Sequence, residues 1–166
     1  MDHQGEDALR EPAHRVSPRA VGYWRLTAAI GTLVTWAVLV AALLLWPDRP
    51  GWAVALGVGL ALAAVVRPAL MPDLRYRWHR WEVTPTAVHT RAGWITVEQR
   101  IAPISRVQTV DSSQTGLMRL FGLRSITVTT ASSAGPLVVE CLDEQVADRV
   151  VADLTRITGQ ASGDAT

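Results

Sequence analysis

Twenty-one consecutive residues without a charge, Leu26 to Trp46, constrain this chain more than anything else in it. At about 1.5 Å per residue, a helix of about 20 apolar residues crosses the ~30 Å hydrocarbon layer of a bilayer. A second apolar run, Gly51 to Val66, follows the turn Pro47-Asp48-Arg49-Pro50. It reaches spanning length if Arg67 snorkels and Ala69-Leu70-Met71 lie in the interface. The pair reads as a transmembrane helical hairpin over residues 26–71. The first span is too long for the apolar core of a cleavable signal peptide, and a second apolar run follows at once.

Aromatic and basic residues place the hairpin. Trp24 and Trp46 bracket the first span and Trp52 opens the second. Tyr23-Trp24-Arg25 has rings for the headgroup level with Arg beyond. Arg10, Arg15, Arg19 and Arg25 precede the first span, and Arg67, Arg75, Arg77 and Arg80 follow the second. The short loop holds only Arg49. The positive-inside rule then puts both termini in the cytoplasm, with a multi-pass chain in the cell membrane. Small residues at Ala53, Gly57 and Ala61, facing Ala28, Gly31, Thr32 and Thr35, allow close helix approach. That approach joins either the two spans or two copies of the chain.

Residues 1–25 carry four Arg, four acids and no apolar periodicity, and read as a disordered cytoplasmic tail. Past the hairpin, about 95 residues remain, enough for one small domain. All 16 basic residues are Arg. Arg67 to Arg124 holds nine Arg against four acids, while Ser125 to Thr166 holds two against six. The basic half lies next to the membrane in sequence, where each Arg near anionic lipid is favourable by about 1 kcal/mol. Arg67, Arg75, Arg77 and Arg80 are the lipid-facing candidates; topology and structural ion pairs explain them equally well.

Pro72-Asp73 is expected to end the second helix. Arg75–Val83 reads as a strand, Thr84-Pro85-Thr86 as a turn, Ala87–Arg91 as a strand and Ala92-Gly93 as a hairpin turn. Trp94–Ile101 alternates cleanly. Ile104–Asp111, Ser125–Thr130 and Leu137–Leu142 follow as strands, with one helical turn over Leu117–Phe121 closed by Gly122. Asp143 is placed to cap a helix whose apolar stripe is Val146, Ala147, Val150, Val151, Leu154 and Ile157. An Arg149–Asp153 pair is expected on its outer face. Residues 159–166 fray.

The run from Trp81 to Gly122 contains Trp81-Glu82-Val83-Thr84, then Ile101-x-Pro103-Ile104-x-Arg106-Val107-x-x-Val110-Asp111, then Gly116-Leu117-x-Arg119-Leu120-Phe121-Gly122-Leu123. It resembles the bacterial pleckstrin-homology-like (PH-like) family of the YdbS type, membrane proteins with two helices ahead of a PH-like domain. The resemblance implies a membrane α-hairpin plus a mainly β domain over residues 72–158: a PH-like antiparallel barrel or sandwich with a C-terminal helix. Six strands are legible where PH folds have seven, so one is expected to be hidden within Ile104–Ser113. Pro103, Arg106, Asp111 and Gly122 are the structural candidates, with an Arg–Asp pair fixing the loop. Leu117, Arg119 and Phe121 form a candidate interaction loop. Lipid-reading PH domains carry basic residues at the first hairpin loop; Thr84-Pro85-Thr86 has none.

Nothing in the sequence assembles a catalytic or metal site. His3, His14, His79 and His89 lack metal-ligand spacing, with His79 and His89 placed as cross-strand neighbours. Cys141 is the sole cysteine and reads as a small buried hydrophobe. No nucleophile, carboxylate pair or phosphate loop has a partner. The expectation is a protein without enzymatic activity, cofactor, metal or nucleic-acid partner. It is expected to be a scaffold or adaptor, for a protein partner or for its own copies, at the cytoplasmic membrane face. The alternatives are an anionic-lipid surface reader, or an accessory subunit of a membrane transport or envelope system.

Overall fold

A computed structural model of the protein describes residues 11–93, 97–132 and 135–163, with side chains to residue 159. The order is β1 (His14–Arg15), α1 (Arg19–Leu45), α2 (Gly51–Trp78), β2 (Arg80–Val83), β3 (Ala87–Ala92), β4 (Glu98–Pro103), a 3₁₀ turn (Ile104–Arg106), β5 (Val107–Ser113), α3 (Gly116–Leu120), β6 (Leu123–Thr130), β7 (Leu137–Asp143) and α4 (Glu144–Gly163). These form two compact units: residues 21–74, and residues 1–20 together with 75–166.

The first unit is the helical hairpin. Its helices expose their apolar side chains almost throughout, as lipid-facing helices do. α2 does not stop at Pro72; it runs through Pro68 and Pro72 to Trp78. A proline inside a helix has no N–H for the carbonyl four residues back. Pro68 therefore frees the carbonyl of Ala64, and Thr32 Oγ1 of α1 donates to that oxygen at 2.6 Å. A carbonyl stranded in hydrocarbon costs several kcal/mol, so the hydroxyl both rescues the break and ties the helices together. At Gly57 an added Cβ would make only ordinary contact, 3.7 Å from Leu39 Cδ2, and Gly31 faces open space, so neither glycine is required by a close approach. Arg25 and Asp73 pair across the hairpin at 2.8 Å. At the turn, Arg49 donates to the carbonyls of Leu43 and Trp46 at 3.0 and 2.9 Å, covering the end of α1.

The second unit holds two antiparallel sheets, ordered β1-β2-β3-β4 and β5-β6-β7, which do not close into a barrel. β2 and β3 turn at Thr84–Thr86 as expected: Thr84 N donates to Ala87 O at 2.9 Å. Gly93 follows β3 with φ +102°, a conformation open to glycine. Trp94, Ile95 and Thr96 lie outside the described residues. In β4 the inward residue is Ala102, and Ile101 faces out. β5 and β6 pair with a bulge near Gln108, and β6 and β7 with a second, where Ser125 opposes Glu140 and Cys141. Cys141 is buried, as expected, but takes φ +55°, rare for a residue with a side chain.

The seventh strand is not within Ile104–Ser113, which holds one 3₁₀ turn and one strand. It is β1, ahead of the hairpin: His14 and Arg15 pair with Trp81 and Arg80. Ala13 N donates to Glu82, the Trp81 indole donates to Arg15 O at 3.2 Å, and the His14 and Trp81 rings lie 5.1 Å apart. Pro12, Val16 and Ala20 are buried. Residues 11–25 are thus strand and helix rather than a disordered tail. Their burial was invisible to periodicity because two paired residues make no pattern. In chain order the hairpin is an insertion between the first two strands of one domain.

The core gathers Val88, Leu123, Ile126, Val128, Leu142, Ala147 and Leu154, all fully buried. α4 supplies the expected stripe, with Ala147, Val150 and Leu154 buried and Val146, Val151 and Ile157 half-buried. It lies on β5, β6, β7 and the 3₁₀ turn. Arg124 of β6 holds it by Glu144 at 2.7 Å and Asp148 at 2.6 Å. Asp153 pairs with Arg156 at 2.8 Å rather than with Arg149.

Candidate functional site

The β7 bulge collects the residues that flank the hairpin in sequence. On the N-terminal side, Ser17 N donates to Cys141 O at 3.0 Å and Ser17 Oγ donates to Asp143 Oδ1 at 2.8 Å. The same Ser17 accepts from Arg19 N at 3.2 Å and from Ala20 N at 3.0 Å, and so caps α1. Asp143 thus turns its carboxylate to Ser17 and to Arg19, 3.6 Å away. On the C-terminal side, Arg75 pairs with Glu140. His79 N donates to Arg75 O at 3.0 Å, and His79 Nδ1 lies 2.9 Å from the same oxygen. His79 is therefore at the end of α2, not a cross-strand neighbour of His89, which pairs with Glu82 and Ile101. Burial, and then the Arg75 charge, lower the His79 pKa below the ordinary histidine value.

The basic candidates separate. Arg75 and Arg80 meet carboxylates, Arg75 at Glu140 and Arg80 at Glu11, 3.8 Å away. Arg91, which meets the same Glu11, also stacks 5.5 Å over Trp78. Arg67 and Arg77 are exposed. The four arginines therefore do not present one free patch. Arg106, Asp111 and Arg119 are each exposed, and no ion pair joins them among the described residues; Asp111 accepts from Thr109 at 3.1 Å instead. Arg106 contributes its carbonyl, which accepts from Ala131 N at 3.2 Å. Pro103 ends β4 and precedes the 3₁₀ turn at φ −59°.

The loop of Leu117, Arg119 and Phe121 is a fixed structure. Thr115 caps α3 by accepting from Met118 N at 3.2 Å, and Met118 is buried. Gln114 Nε2 donates to Leu123 O at 2.9 Å, closing the loop at its base. Gly122 takes φ +61° and its carbonyl accepts from Glu144 N at 3.0 Å. A Cβ there would lie 3.2 Å from the Arg19 guanidinium. Leu117 and Phe121 are half-buried and Arg119 is exposed. The large apolar side chain most offered to solvent in the loop is Leu120, 78% exposed, which is not among the candidate residues read from the sequence. The missed signal is spacing: in one turn anchored by Met118, the residue two positions on points away.

The bacterial PH domain family model matches residues 26–158. The chain belongs to that family. It is also 27% identical over 157 residues to the UPF0699 transmembrane protein YdbS of Bacillus subtilis (strain 168), covering 93% of this chain and 98% of the relative. No solved structure matches the chain. With two helices of 27 and 28 residues, each long and apolar enough to cross a bilayer, and a transmembrane relative, it is a membrane protein carrying a PH-like domain. The family match begins after β1, so the strand that precedes the hairpin lies outside it.

Proposed function

We propose that this protein is a non-enzymatic, membrane-anchored adaptor: both helices span the cell membrane, and the PH-like domain offers a docking surface to a protein at the cytoplasmic face. The observation that carries the reading is an edge of the four-stranded sheet that no strand covers among the described residues. β4 is its outer strand, and Ile101 within it and Val97 just ahead of it are 42% and 43% exposed. An outer strand with apolar side chains is a template for an added strand from a partner, whose backbone supplies affinity and whose side chains supply specificity. The groups capable of chemistry support the same reading by being engaged in structure: Glu140 with Arg75, Asp143 with Ser17, and His79 with the Arg75 backbone. The partner is either a different protein or a second copy of the chain.

Photocrosslinking in native membranes tests this. A crosslinker at position 101 should give a discrete protein adduct, lost when Val97→Asp is added. The same crosslinker at Thr155, exposed on α4, should give none. Reaction at 101 with lipid alone, or no adduct at either position, contradicts the adaptor reading.

A further inference from the structure

We propose that the α3 loop is a second membrane contact, in which Leu120 enters the interface of an anionic bilayer and Arg119 meets its headgroups. Exposed leucine is ordinary when scattered; here it is held out by structure. Met118 and the Thr115 cap fix α3 from below, and the Gln114–Leu123 bond fixes the loop ends. The ordering entropy that usually opposes burying a loop tip is therefore already met. Half-buried Leu117 and Phe121 flank Leu120, so the tip is apolar with a single cation. Arg119 makes no ion pair among the described residues, and at anionic lipid it gains an interaction nothing in the protein supplies.

Chain connection brings the membrane within reach. Gly122 lies against Arg19, the first residue of α1. Leu26, where the uncharged run begins, lies seven residue steps beyond Arg19. That is about 10 Å of helix, and no more than about 25 Å if fully extended. Tyr23-Trp24-Arg25 lies inside that interval with the composition of the headgroup zone. The chain length thus keeps the loop within reach of the bilayer surface, and its exposed chemistry, one leucine tip with one arginine, matches that surface rather than a charged protein groove.

The test uses the full chain in vesicles of phosphatidylcholine, with and without phosphatidylglycerol. A fluorophore is attached at Leu120→Cys or, as control, at Ala152→Cys on the exposed side of α4. Buried Cys141 in the unsubstituted chain serves as the labelling blank. Nitroxide-bearing lipid should quench the label at 120 and not at 152, and iodide in the water should do the reverse. Arg119→Gln should weaken lipid quenching about fivefold in the anionic vesicles and leave it unchanged in the neutral ones. A label at 120 that iodide reaches as freely as at 152 overturns the proposal. So does one shielded from both quenchers, which would mean that protein covers the tip. Equal quenching in both vesicle types overturns the role given to Arg119.

Discussion

Pro68 and Thr32 have meaning only as a pair. The proline removes the N–H that Ala64 O would use, and the threonine hydroxyl from the other helix replaces it at 2.6 Å. Thr32→Val should therefore destabilise the hairpin by about 0.6 kcal/mol, a typical value for such bonds within a bilayer. In a Pro68→Ala background the loss should shrink, because the alanine N–H recovers the carbonyl; a double-mutant cycle by steric trapping in bicelles reads the coupling. His79 carries a pH dependence of definite sign. Its folded pKa is lowered from about 6.5, so the unfolded chain takes the proton first as pH falls. Stability should hold above about pH 6.5 and decline below it, and His79→Gln should flatten that decline in thermal melts across this range. Gly122→Ala forces a side chain into the left-handed region against Arg19, and should cost about 1–2 kcal/mol by chemical denaturation. Neither the Thr32–Ala64 bond nor the His79 site was legible in the sequence. The first joins residues 32 positions apart in the chain, Thr32 with Ala64, that no local pattern connects. The second depends on burial, which only the folded domain supplies, at a residue bonded to Arg75 four positions earlier.

At the level of elements, legibility followed period and length. The apolar stripe of α4 was plain because six residues repeat it over three turns, and Leu154 is fully buried where the stripe requires. Leu154→Ala should cost about 3 kcal/mol, a drop measurable in the denaturation midpoint. The end of α2 lies past Pro72 because a proline within a helix removes one backbone bond without unwinding the rest. β1 escaped because it is two residues long and its partner strand lies beyond the hairpin. β4 was found, but its Ile101 face turned out to be the exposed one; alternation gives the two faces of a strand and not which of them the core takes.

For the molecule as a whole, the unusual feature is connectivity. One domain begins before the hairpin and is completed after it, with β1 paired to β2 and Ser17 bonded to β7 across that insertion. The membrane family and the two-part architecture were readable from two apolar runs and a run of spaced motifs. The docking surfaces were not, because exposure of Leu120, Ile101 and Val97 is settled by packing alone. The connectivity also makes a demand on topology: residues on either side of the hairpin belong to one folded body, so the proposed two-span anchor requires them on one side of the membrane and the short loop on the other. Labelling of single cysteines with a membrane-impermeant maleimide, in sealed inside-out and right-side-out vesicles, measures this directly. Ala13→Cys and Ala152→Cys should react in inside-out vesicles only, and Asp48→Cys in right-side-out vesicles only. Reaction of Ala13→Cys and Ala152→Cys from opposite sides, or of all three from the same side, would contradict the account.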